Sequence, residues 1–166
     1  MRIIGIDPGS KVTGYGIVEQ MKHQLRHVAS GRVVSPSGIP FHDRLKNIYT
    51  ELGKVIACHA PEAMAVEDLF IARNVQSALK LGHARGVAML AGLNAELVIA
   101  EYSPMEVKKA LVGYGRAQKE QVQEMVRILL SLAEPPESNT ADALAVAICH
   151  LHWCQGVGKV SPRSSL

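Results

Sequence analysis

The chain has 166 residues, a length that suits about one domain, and 48% of them are hydrophobic against 20% charged. That balance excludes a disordered chain, and a chain of this size can close a core without disulfides or structural metal. The formal net charge of +3 is compatible with a polyanionic partner without requiring one, so where the charges sit carries more weight than their sum.

Arg2 to Asp7 is an apolar, β-branched run of strand length that stops at Pro8-Gly9-Ser10, and strand chemistry resumes over Val12–Val18. A third strand falls within Leu25–Val34. Together these form an antiparallel meander, broken by the Ser35–Pro40 stretch. Leu45, Ile48, Leu52, Val55 and Ile56 recur at helical spacing, which predicts an amphipathic helix over about 41–59. Ala63–Val66 reads as a short buried strand ending at Glu67. A long helix is expected from about Asn74 to Asn94, followed by a strand at Glu96–Ala100. A short helix around Pro104–Leu111 carries its proline where the first turn accepts one, and Gly113-Tyr114-Gly115 interrupts it. Val122, Met125, Val126 and Leu129 mark another helix, which Glu134-Pro135-Pro136 stops. The last helix runs from about Thr140 to Trp153. This order predicts an α/β protein with a mixed sheet of about five strands, three antiparallel and then parallel, flanked by helices. A single domain over 1–156 and a flexible C-terminal tail over 157–166 complete the expected organisation.

No apolar run approaches the roughly 20 residues of a membrane helix. The first residues reach a carboxylate at Asp7 too early for a signal peptide, so a cytoplasmic protein is expected. The three cysteines form no CxxC pair, and their odd number argues against a disulfide framework. Cys149-His150-x-His152-x-Cys154 is rich in ligand types, but it ends a helical pattern that turns those side chains around the cylinder.

Carboxylates at strand ends and helix starts are the places to look for chemistry, because a rigid backbone aims an exposed acid there. Asp7 ends the first strand and Glu67 ends a later one. Asp142 lies in the expected first turn of the last helix with Asn139 three residues before it, on the same face. Drawn together, these oxygen ligands suit Mg²⁺ or Mn²⁺. Two such ions bridging a phosphate would organise attack of water on a phosphodiester. Each residue also has a plainer reading. Asp7 can open an Asp-Pro-Gly turn, Glu67-Asp68 can be a solvated strand end, Asn139 can be an N-cap, and Asp142 can complement the helix dipole.

Gly5-Ile-Asp-Pro-Gly-Ser-Lys-Val-Thr-Gly-Tyr-Gly16, Val66-Glu67, Asn74-x-x-Ser-Ala-Leu-Lys-Leu-Gly-x-Ala-Arg-Gly86 and Ala141-Asp-Ala-Leu-Ala145 resemble the RuvC family of bacterial Holliday-junction resolvases. Tyr102-Ser-Pro-x-x-Val-Lys108, Gly113-x-Gly115 and Lys119-x-Gln-Val122 extend the match in order over nearly the whole chain. The resemblance implies a ribonuclease-H-like fold, a homodimer, and Mg²⁺-dependent symmetric nicking of a four-way DNA junction in recombination and repair. Mn²⁺ is the expected substitute, with two ions per site. It also implies partnership with the RuvA–RuvB branch-migration complex. Asp7, Glu67 and Asp142 fall on three of the four acidic catalytic and metal positions of the family. The fourth, usually Asp, is Asn139 here, and an amide oxygen brings neither charge nor basicity.

From Leu69 to Ala95 there is no acid, while Arg73, Lys80 and Arg85 add positive charge suited to a DNA backbone. Lys108, Lys109, Arg116 and Lys119 form a second basic cluster, and the resemblance puts DNA-contacting lysines at Lys108 and Lys119. Phe70, three residues past Glu67, can stack on an unpaired base, and the resemblance implies an aromatic in that role; the alternative is a plug against the following helix. Gly82, Ala84, Gly86, Ala88 and Ala91 admit either a two-fold helix seam or close packing on the chain's own sheet. Three other functions stay open: another ribonuclease-H-like nuclease, a junction-binding protein whose cleavage Asn139 impairs, and an actin-like nucleotide-binding domain. The last would need a second phosphate loop and a longer chain.

Overall fold

The computed structural model describes residues 1–22, 24–68 and 74–157. The expected tail lies outside them from 158 onward.

Strands β1 (Arg2–Asp7), β2 (Val12–Met21) and β3 (Gln24–Val34) form the antiparallel meander, with Gly5 opposite Gly16 and Asp7 opposite Gly14. β4 (Ala63–Glu67) then pairs parallel with β1, and β5 (Val98–Tyr102) parallel with β4, giving the order β3-β2-β1-β4-β5. The crossovers are α1 (Phe41–His59) and α2 (Val75–Asn94), which share one face of the sheet. The helices α3 (Pro104–Val112), α4 (Lys119–Leu129) and α5 (Ser138–His152) cover the other face, and a π-helical turn over Trp153–Val157 follows. The mixed five-stranded sheet is the one expected from the element order.

Two boundaries differ from expectation for a visible reason. β5 starts at Val98 because the end of α2 uses the residues before it. Glu96 takes a left-handed φ of 60°, and the Leu97 N–H bonds back to the Gly92 carbonyl, the pattern of a Schellman cap. α5 starts at Ser138, with Glu137 as the capping residue. Asn139 is therefore not the N-cap, and Asp142 lies just beyond the first turn instead of within it.

Alternation along the strands sorts the core. Ile4, Ile6, Ile17, Met64 and Val66 face α1 and α2, and the smaller Ala63, Ala65 and Ala100 face α5. The small residues are needed because α5 crosses the sheet at backbone distance. A Cβ on Gly5 would come 2.7 Å from the Ala147 nitrogen, and one on Gly14 would come 2.7 Å from the Asn139 carbonyl carbon. Every residue of α5 from Thr140 to Leu151 except Asp142 is buried, as a helix apolar on nearly all sides must be.

The ligand-rich run near the end of α5 contributes to packing. The Tyr102 hydroxyl and His150 Nδ1 are 2.8 Å apart, and Cys154 Sγ lies 3.6 Å from His150 Nε2. Burial lowers the His150 pKa and pushes the Cys149 thiol up to about 12, both consistent with neutral core groups. Among the described residues no helix is long and apolar enough to cross a membrane.

Candidate active site

The period of two that sorts the core also aims two acids. Ile3, Gly5 and Asp7 share one face of β1, as Ala63, Ala65 and Glu67 share one face of β4. The strands pair in parallel up to Ile6 beside Val66. One residue further, the same register sets Asp7 beside Glu67 at the carboxyl ends of neighbouring strands, under α5.

The turn after Asp7 is tied down by Thr13, which is fully buried. Its hydroxyl donates to the Gly9 carbonyl at 2.8 Å, and its oxygen accepts from the Gly9 N–H at 3.4 Å. The α5 backbone resting on Gly5 and Gly14 then brings Asp142 to the same end of the sheet. Lys119, the first residue of α4, reaches across and donates from Nζ to Asp142 Oδ2 at 2.7 Å. Glu67, Lys108, Lys119 and Asp142 line a cleft of about 170 Å³ whose apolar wall includes Val107, Val122 and Ala145.

The electrostatics show that the acids feel one another. Asp7 is pushed up to about 7, first by burial and then by the Asp142 charge, with Lys119 pulling it back. Glu67 is pushed up to about 7 by burial, then by Asp7 and Asp142, against Lys119 and Lys108. Lys119 is raised by its bond to Asp142 and by all three carboxylates, which together outweigh the opposing effect of burial. Carboxylates that raise each other's pKa form a site that calls for cations.

A pH dependence follows. Asp7 and Glu67 stay protonated in the folded chain up to about pH 7, where the unfolded chain has already released those protons near pH 4. The folded state holds more protons in that window, so metal-free stability falls as pH rises through it. In EDTA, the thermal midpoint at pH 8 is expected below that at pH 5 by several degrees, at about 2–4 °C per kcal/mol for this size. Thermal melts of wild type and of an Asp7→Asn/Glu67→Gln double variant check this. The double variant should lose most of the difference.

Other sequence-predicted residues are dispersed. Asn139 lies in the first turn of α5, half-buried, with its backbone carbonyl over Gly14. Lys80 is exposed on α2. Arg85 is not a free cation for a phosphate: its guanidinium is paired with Glu101 and lies 3.4 Å from Asp68. Two acids at the adjoining ends of β4 and β5 already neutralise it. Phe70 and Arg73 lie outside the described residues. The small residues of α2 divide between two faces. Ala84, Ala88 and Ala91 are buried against the chain's own core, while Gly82 and Gly86 lie on an outer apolar groove with Val75, Leu79 and Leu90. Sequence reasoning missed Thr13 and the bond from Lys119 to Asp142. The Thr13 role had a local trace, a β-branched hydroxyl four residues past a turn glycine. The lysine bond had none.

The donor set fits a hard divalent cation, since it is all oxygen and strongly acidic. Among the described residues, no three His, Cys, Asp or Glu side chains are already drawn close enough to hold an ion. Asp142 is held by an ammonium group instead.

Comparison with known proteins places these features in a wider set. The model of the family described as crossover junction endodeoxyribonuclease RuvC matches residues 3–150. A protein of that name from Syntrophotalea carbinolica is 59% identical over 152 residues, covering 92% of this chain and 94% of its own. One from Geobacter sulfurreducens is 54% identical, covering 90% of this chain and 92% of its own. The solved structure of Thermus thermophilus RuvC in complex with a Holliday-junction substrate superposes with a TM-score of 0.89 at 37% identity, over 93% of this chain and 95% of that one.

Proposed function

This chain belongs to the RuvC family of crossover junction endodeoxyribonucleases, with a ribonuclease-H-like fold, and we propose that it resolves four-way DNA junctions. It does so by nicking two opposed strands through metal-assisted hydrolysis of phosphodiester bonds. The observation that carries the reading is the convergence of two strand-end acids, Asp142 and a lysine at one end of the sheet, in a chain whose 37%-identical structural relative was solved on a Holliday junction.

In this reading Asp7, Glu67 and Asp142 hold Mg²⁺, or Mn²⁺ in its place, with two ions per site. Bound there, the ions supply charge neutralisation at the phosphoryl centre and activation of water. Asn139 contributes an amide oxygen only and cannot take a proton. Lys108 and Lys119 hold the backbone beside the cut phosphate, with Lys80 further along the duplex. Arg73 and Phe70 keep the roles that sequence and family membership imply, a contact to the DNA backbone and stacking on an unpaired base. Arg85 is left out because its charge is already matched. Cations on the junction's phosphates make binding strongly dependent on salt.

The test is nicking of a synthetic four-way junction beside linear duplex and RNA–DNA hybrid, in Mg²⁺ and in Mn²⁺, for wild type and Asn139→Asp. Paired symmetric nicks on the junction alone, by both proteins, are the expected result. Cutting only after Asn139→Asp would mark the chain as a junction binder with a silenced site. Preference for the hybrid would favour another nuclease of the fold.

We also propose that the outer groove of α2 is the seam of a homodimer. Val75 is 77% exposed there and Leu79 58%, more apolar surface than a lone helix usually shows to water. A two-fold protein also matches a substrate with two equivalent strands to cut. Leu79→Glu is expected to give monomers in sedimentation and to uncouple the paired nicks while single nicks persist. Family membership supports a cytoplasmic place and the RuvA–RuvB complex as partner.

A further inference from the structure

Lys119 sits where three carboxylates at once demand positive charge. Its ammonium is 2.7 Å from Asp142 Oδ2, and its charge also acts on Asp7 and Glu67. Lys108 lines the same cleft but acts on Glu67 without bonding Asp142. The Lys119 side chain is half exposed and leaves from the first residue of α4, so a long flexible stem can swing away at little cost. A divalent cation and an ammonium group on one carboxylate repel each other strongly at this range.

We infer that Lys119 is an exchangeable counter-ion of the metal-free site. It occupies Asp142 until a divalent cation takes that carboxylate, and the displaced ammonium is then free for a DNA phosphate. The inference rests on the divalent-metal reading of the site. It adds that metal binding and DNA binding are coupled through one side chain: the cation that enters releases the lysine that grips the backbone.

The experiment is calorimetric titration of the full chain with Mn²⁺, without DNA, comparing wild type with Lys119→Met, Lys108→Met and Asp142→Asn. Removing the competing charge should tighten Mn²⁺ binding about tenfold in Lys119→Met. Lys108→Met should change it far less, and Asp142→Asn should weaken it. Equal or weaker binding by Lys119→Met, with wild type binding normally, overturns the exchange and leaves the metal site standing. Failure of Mn²⁺ to bind any of the proteins overturns both. A second readout is the rate of reductive methylation at Lys119 in wild type, which should rise on adding Mg²⁺. An unchanged rate, with Mg²⁺ shown to bind, overturns the exchange.

Discussion

Asp7→Asn is expected to abolish junction cleavage, by about 10³-fold or more, while junction binding persists and the metal-free protein becomes more stable above pH 7. The cleavage loss corresponds to roughly 4 kcal/mol of transition-state stabilisation. It is large because Asp7 is a buried acid that feels the Asp142 charge directly. The gain in stability has the same origin. Folding holds the Asp7 carboxyl in a setting that resists ionisation, so above pH 7 the folded chain carries a strained charge that the unfolded chain does not. An amide of nearly the same shape removes that charge. Gel assays of nicking and of junction binding, together with melts in EDTA at pH 8, read all three effects. Loss of binding alongside cleavage, or a lower melting point, would count against the electrostatic account.

Gly5→Ala is expected to be severely damaging for so small a substitution, costing about 3 kcal/mol or more in urea unfolding. The added methyl would press on the Ala143 carbonyl and the Ala147 nitrogen. Those atoms are helix backbone, which cannot rotate away as a side chain can. If the protein still folds, α5 must ride further from the sheet, taking Asp142 with it. Cleavage should then fall more than stability alone predicts. Gly53→Ala is the control, because nothing lies within 4 Å of that position, and in mid-helix the change should be neutral or stabilising. Similar destabilisation by both would refute the close-approach explanation.

Most of the architecture was legible because it is local. The period of two in β1 and β4 and the spacing of Ile48, Leu52 and Ile56 in α1 each carry their own evidence in a few neighbouring residues. The start of β5 was missed because a left-handed Glu96 has no Gly or Asn to announce it. Asp7, Glu67 and Asp142 could be named as candidates from where strands end and a helix begins. What brings Asp142 over Asp7, however, is the fit of one helix backbone into a path of glycines on two strands. Periodicity does not report such a fit. Arg85 shows the same limit from the other side. It looked like a free cation in a stretch without acids, and its partners Asp68 and Glu101 come from outside that stretch. Charge read along the chain misjudges charge matched across a fold.

The buried position of α5 also sets an order of assembly. It is the last long helix, yet it packs chiefly on β1 and β2, the first two strands, so the contacts that close the core join nearly the whole length of the chain. Such distant closures make folding slower, and a chain emerging from the ribosome cannot complete them until residue 142 and beyond are available. Before then the growing polypeptide carries Asp7 and Glu67 but nothing to set above them. The acids of the candidate site thus cannot be assembled until synthesis is nearly finished, and a truncated product lacking α5 would be both unfolded and inert.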